Sequence, residues 1–209
     1  YFLLPPQIIT ASKEKIKEVL VKVSAYKDYT FLLFASVSLL YIISFFQMMS
    51  NMTAFFKNEI HFTERTIGFL MMWNGILIVL VEMSLVYYLE RKWTKRNALL
   101  LGVSFHVIAY LILIIFPVNF WISFLCITFI TLSEMFAFPV MVAFWMKRSD
   151  ENNRGQYAGI WTMTWAIAQS TGTFLGSSVA QHFGFTTLWW LVVILCSISI
   201  FFYAKLVKN

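Results

Sequence analysis

Charged side chains are scarce in this 209-residue sequence, at 12% of positions, where a soluble domain carries roughly 25%. With 60% of residues hydrophobic, too little polar surface remains to enclose a core in water. That excludes an ordinary soluble domain, and lipid is the natural solvent. Cysteine is nearly absent. Cys126 and Cys196 each lie inside an apolar stretch, which excludes a disulfide framework. His61, His106 and His182 are too scattered to supply a zinc motif, so no metal or other cofactor is expected. Also lacking is a basic segment followed by an apolar run and a small-residue cleavage site, so no signal peptide is read. The chain starts at Tyr1, and the simplest expectation is a segment cut from a longer protein.

What is abundant is long apolar runs. A helix needs about 20 mainly apolar residues to span a bilayer. Six windows qualify: Tyr29–Met49, Thr66–Leu89, Ala98–Phe116, Asn119–Met146, Gln156–Gln181 and Thr186–Lys205. Lipid cannot satisfy the backbone of an open strand, and the runs are too long and continuous for barrel strands. The fold class is therefore an all-α membrane protein with six transmembrane helices.

Orientation follows from the basic residues. Taken in order, with Lys205 at the edge of the sixth window counted in the tail, the connecting and terminal segments carry 5, 2, 4, 0, 3, 0 and 2 Lys or Arg, which accounts for all 16. The alternation places both termini in the cytoplasm, in a multi-pass protein of the cell (inner) membrane. The net charge of +6 is thereby a topology signal, and no nucleic-acid partner is expected. Residues 1–28 read as a cytoplasmic linker and 29–209 as the membrane domain. Within the linker, Thr10–Tyr26 fits a surface helix, with Ile16, Val19, Leu20 and Val23 on one face and lysines opposite. Ser12 would cap its start, and Glu18 precedes Lys22 by one turn. A flexible charged linker is the alternative.

Function is sought in the polar residues at depth. The span interiors contain no Lys or Arg, but they contain Glu134 and Glu82. A carboxylate there costs a few kcal/mol or more and faces a bundle interior or an aqueous cavity. Glu134 lies near the middle of the fourth span, and Glu82 roughly 10 Å from the cytoplasmic end of the second at the helical rise. Burial disfavours the charged form, so both are proton-coupling candidates, with protons as the coupling ion. The alternative is that each is a hydrogen-bonded structural anchor.

Asn74 shares a side of the second span with Glu82, and Gln47 occupies the outer part of the first. The fifth span is the most polar and adds Trp161, Trp165 and Gln169. These five with Glu82 and Glu134 are the substrate-cavity and coupling candidates. Gly172-Thr-Phe-Leu-Gly176 matches a small-xxx-small packing motif, and Pro139 is placed to kink the fourth span as a gating helix. The third and sixth spans, poor in polar residues, are expected at the lipid-facing periphery. Trp121, Trp189 and Trp190 read as interfacial anchors. Asn51-Met-Thr53 fits a glycosylation acceptor, a triplet that also occurs by chance.

Together, the amphipathic linker and six spans with both ends inside resemble the C-terminal half of a major facilitator superfamily transporter. The loop Leu89-Glu-Arg-Lys-Trp-Thr-Lys-Arg96 resembles that family's acidic-then-basic motif, through Glu90, Arg91, Lys95 and Arg96, but lacks its glycine. Ser133-Glu-Met-Phe-Ala-Phe-Pro139, followed by Arg154-Gly-Gln-Tyr-Ala-Gly159, resembles the fourth and fifth helices of drug/proton antiporters. The Glu-x4-Pro spacing is also similar to proton-coupled oligopeptide transporters. The resemblance implies one half of a twelve-helix carrier, a missing N-terminal half as partner, and a small-molecule site between the halves. It also implies that the first, second, fourth and fifth spans line the cavity.

The leading expectation is proton-coupled efflux of hydrophobic or cationic compounds; the alternative is a proton-coupled importer of peptides or other nutrients. An enzyme is not expected, since Asp28 and Asp150 lie outside the spans and no catalytic cluster is apparent. A scaffold would not need two buried acids on separate helices.

Overall fold

A backbone immersed in hydrocarbon must satisfy its own N–H and C=O groups, and this chain does so by forming helices. The computed structural model describes residues 24–207. The surface-helix reading of Thr10–Tyr26 therefore falls almost wholly outside the described residues; its last positions enter a 3-10 turn, Ala25–Lys27. Six helices follow: α1, Tyr29–Asn58; α2, Glu64–Lys92; α3, Lys95–Ile115; α4, Phe120–Arg148; α5, Arg154–Phe183; and α6, Phe185–Leu206.

Helices α2 and α3 start before their apolar windows because side chains cap their first turns, and α1 and α4 are capped in the same way. Asp28, Thr63, Thr94 and Asn119 accept from the backbone N–H groups of Phe31, Thr66, Asn97 and Ile122. Such caps hold polar first turns in helical form. Between α5 and α6 the chain turns on Gly184, whose φ of 82° suits a residue without a side chain.

Five helices are long and apolar enough to cross a membrane. The sixth, α5, is long enough, but its Ser, Thr and Gln content lowers its hydropathy. α1 runs beyond Met49 through a π-helical stretch, Met48–Met52, to Asn58. α4 stays helical through Pro139.

α3 lies between α4 and α6, α1 packs on α5 and α6, and α2 rests mainly on α4. The α3–α4 approach is close because Gly102 presents no side chain. A Cβ there would meet the Phe136 Cβ at 2.9 Å and the Ala137 backbone nitrogen at 3.0 Å. Although poor in polar residues, α3 buries a full face, including Leu99, Val103, His106 and Tyr110.

Of the three tryptophans read as anchors, Trp121 and Trp190 are exposed. Trp189 is instead fully enclosed, with its ring 5.2 Å from Tyr110 and 5.6 Å from Phe55. Adjacent helical residues point about 100° apart, which separates Trp189 from Trp190. Asn51 is also buried, so its triplet is not offered to a modifying enzyme.

Gly102→Val is expected to force α3 away from α4 and cost about 1–3 kcal/mol. Thermal melting of the purified protein in detergent checks this; an unchanged melting temperature would contradict the close packing.

Candidate functional site

The polar residues of α2 and α4 meet at mid-helix. Asn74 and Glu134 are only 7% and 8% exposed. Asn74 Nδ2 donates to Glu134 Oε1 at 2.7 Å and to Thr131 Oγ1 at 3.0 Å. Thr131 donates in turn to the Ile127 carbonyl. The carboxylate is thus held by a neutral amide, with no cation in the set. Glu82, two turns along α2 from Asn74, is half-buried, and its charge is within electrostatic reach of Glu134. On another face of α4, Ser133 and Tyr41 of α1 share a hydrogen bond of 2.7 Å. Consecutive residues of α4 therefore tie it to two helices.

One turn beyond Glu134 lies an aromatic wall. Phe138 sits 4.9 Å from Phe45 and 5.0 Å from Trp165, and Trp165 is 5.8 Å from Phe46. Phe46, Phe138 and Trp165 are half-buried, so their faces remain partly open. Gln169, one turn along α5 from Trp165, is exposed. Trp161 is different: it is 7% exposed, stacked at 6.5 Å from Phe34 in the core.

Gln47 is held in the α1–α5 seam. It is 2% exposed and donates to the Ile43 and Gly172 carbonyls at 2.9 and 3.0 Å. Its own oxygen accepts from Asn51, which accepts from Ser177 of α5. Gly172 and Gly176 make room for this lock. A Cβ on Gly176 would collide with Gln47 Oε1 and lie 2.6 Å from Asn51 Nδ2.

The family model described as Major Facilitator Superfamily matches residues 33–209. The chain belongs to the Major Facilitator Superfamily. No curated protein and no solved structure matches it. Members of this superfamily are transporters, not enzymes, and move small molecules across membranes. Its helical fold is that of a major facilitator half.

The loop residues of this superfamily member lie at the bundle end that carries Asp28. Glu90 belongs to the last turn of α2, and Arg91 sits 4.2 Å above the Tyr87 ring. Lys95 and Arg154 are exposed, while Arg96 Nε is buried without a hydrogen-bond partner among the described residues.

An ion pair at this end, between Asp28 and Arg148, was not singled out from sequence. Asp28 accepts from Arg148 Nε and Nη2 at 2.8 Å each and from the Tyr157 hydroxyl at 2.9 Å. Gln156 adds bonds from Ser24 and from the Ala25 N–H. This cluster fastens the start of α1 to the end of α4 and the start of α5. The two Arg148 bonds hold the Asp28 carboxyl down to about 2, from an ordinary 3.8.

Thr131 and Phe138 also escaped the sequence reading, although each stands one turn from Glu134. Tyr41 and Phe46 carried no local signal, since their partners lie on other helices.

A depressed carboxyl stabilises the fold fully above the unfolded value and ceases to do so as pH falls through the folded one. Allowing for partial exposure, Asp28→Asn is expected to cost about 1–2 kcal/mol at neutral pH. The variant should also lose the part of the stability decline that falls between about pH 4 and pH 2. Melting temperature against pH, for both proteins in detergent, measures this.

Proposed function

We propose that this chain is part of a proton-coupled carrier that exports hydrophobic or cationic compounds. The observation carrying the reading is Glu134: a nearly buried carboxylate bonded to a neutral amide, among spans whose interiors contain no Lys or Arg. An acid so placed has two natural occupants, a proton and a positively charged substrate. Competition between them is the simplest form of exchange.

The aromatic wall supports the substrate class. Phe138 and Trp165 offer ring faces one turn from the carboxylate, and lipophilic cations bind such faces favourably. Glu82 would add a second negative charge on the approach. A peptide importer would call for basic residues toward a substrate carboxylate, and none lies in these spans.

In this reading protonation neutralises Glu134 and turns a charge-assisted bond to Asn74 into an ordinary one. The α2–α4 contact weakens, and the balance between two cavity orientations shifts. Gln47, Gly172 and Gly176 then serve to hold α5 on α1, and Trp161 belongs to the core. The basic residues set both ends of this segment toward the cytoplasm of the cell membrane. A further six-helix half would complete the cavity against the exposed faces of α2 and α5.

Full-length protein in proteoliposomes, under proton gradients of opposite sign, tests direction and coupling together. Export predicts substrate movement opposite to the proton gradient. Glu134→Gln should abolish gradient-driven transport, while substrate counterflow persists at raised substrate concentration because the aromatic wall still binds the substrate. Unchanged pH dependence in that variant would remove the coupling role.

Trp165→Ala is expected to weaken binding of a lipophilic cation about tenfold. Trp161→Ala should instead lower the melting temperature. Equilibrium binding and thermal melting of the two variants separate the roles.

A further inference from the structure

The bundle end that carries Asp28 holds an opening that the transport reading does not use. Two crevices meet there around Lys95, Val140 and Ala143. One, of about 320 Å³, runs between the end of α2, the start of α3 and α4. Its wall is largely apolar, formed by Val86, Leu89, Trp93, Ala98 and Pro139. The other, of about 580 Å³, is bounded by the ends of α1, α4 and α6 and adds Phe144, Lys147 and Arg148.

Charge at the rim is unevenly matched. Arg148 is paired with Asp28 at 2.8 Å. Lys95 and Lys147 are exposed and, among the described residues, have no acidic partner at salt-bridge distance. Thr94 caps α3, so the positive end of that helix lies at the same rim. The last turns of α4 and α6 bring the opposite dipole, which Lys147, Arg148 and Lys205 offset.

We propose that this crevice holds an anionic phospholipid from the adjoining leaflet. The phosphate lies between Lys95 and Lys147, and an acyl chain runs along Val140, Ala143 and Trp93. Basic pockets between membrane helices suit anionic head groups. A free inorganic anion would leave the apolar wall unfilled. A zwitterionic lipid would bring its own cation toward the two lysines. Bound in this way, the lipid bridges the start of α3 and the end of α4, and it stabilises the folded protein by mass action.

The test uses the full-length protein in detergent micelles, titrated with phosphatidylglycerol, phosphatidylcholine or inorganic phosphate, with melting temperature as the readout. Wild type is compared with the double variant Lys95→Gln/Lys147→Gln and with Ala143→Trp, each against its own lipid-free melting. The first removes the charges and the second fills the crevice while leaving charge unchanged. Phosphatidylglycerol is expected to raise the wild-type melting temperature by a few degrees, and the other two additives to leave it unchanged. Both variants should lose that rise. A rise retained in either variant, or reproduced by phosphatidylcholine or inorganic phosphate, would overturn the proposal.

Discussion

In hydrocarbon a polar side chain has no water to fall back on, so most of those buried here find a partner on another helix or on their own backbone, while Tyr110, Trp145 and Trp189 keep a polar atom without one among the described residues. That requirement shapes the bundle. Asn74 and Glu134 join α2 to α4, and Tyr41 and Ser133 join α1 to α4. Gln47 joins α1 to the Gly172 carbonyl of α5, and Tyr203 reaches Ser38 to join α6 to α1. α3 relies on shape instead, through Gly102 and a buried apolar face. The molecule therefore has a dry side, where α3 meets α4 and α6, and a side whose helices are held largely by hydrogen bonds.

The two kinds of contact respond differently to a visiting solute. A packed glycine contact has no substitute partner, so it persists or breaks. A hydrogen bond that borders an aqueous cavity can pass to water or a ligand at little net cost. In the proposed mechanism, helices held by such bonds are the ones that change partners during transport. Asp28 and Arg148 limit that freedom at one end, since a bidentate ion pair with a third donor fixes α1, α4 and α5 together. In the proposed mechanism, exchange of partners is thereby confined to the middle of the bundle.

The six helices were legible because hydropathy and length are properties of continuous sequence. Their ends were less so: polar first turns at Glu64 and Lys95 look like loop until the Thr63 and Thr94 caps are seen. The π-helical stretch Met48–Met52 had no sequence signal. Glu134 stood out as an acid at depth, but Asn74 as its partner depends on how α2 lies on α4. Gln47 looked like a cavity residue for the same reason that it is buried in the seam, namely a polar group within a span. His106 looks like an isolated histidine in the sequence, yet it is fully enclosed between the rings of Tyr41 and Tyr110 at 5.3 and 5.1 Å. Polarity locates such residues along the chain; only packing decides which way they face.

α4 concentrates these features in seven positions. Ser133 faces α1 and Glu134 faces α2, so the helix is held from two sides at one level. Phe138 follows one turn later in the aromatic wall, and Pro139 comes next. Proline has no N–H to donate, which leaves the Met135 carbonyl without its usual helical partner. The helix is thus locally softened between the carboxylate and the ring beside it, while Gly102 holds the opposite face of the same segment against α3. In the proposed mechanism, a change at Glu134 would act on a segment backed by a rigid neighbour and would displace Phe138 before it disturbed α3. Coupling between proton and substrate then needs no long pathway, because the group that takes the proton and the ring that meets the substrate share one turn of one helix.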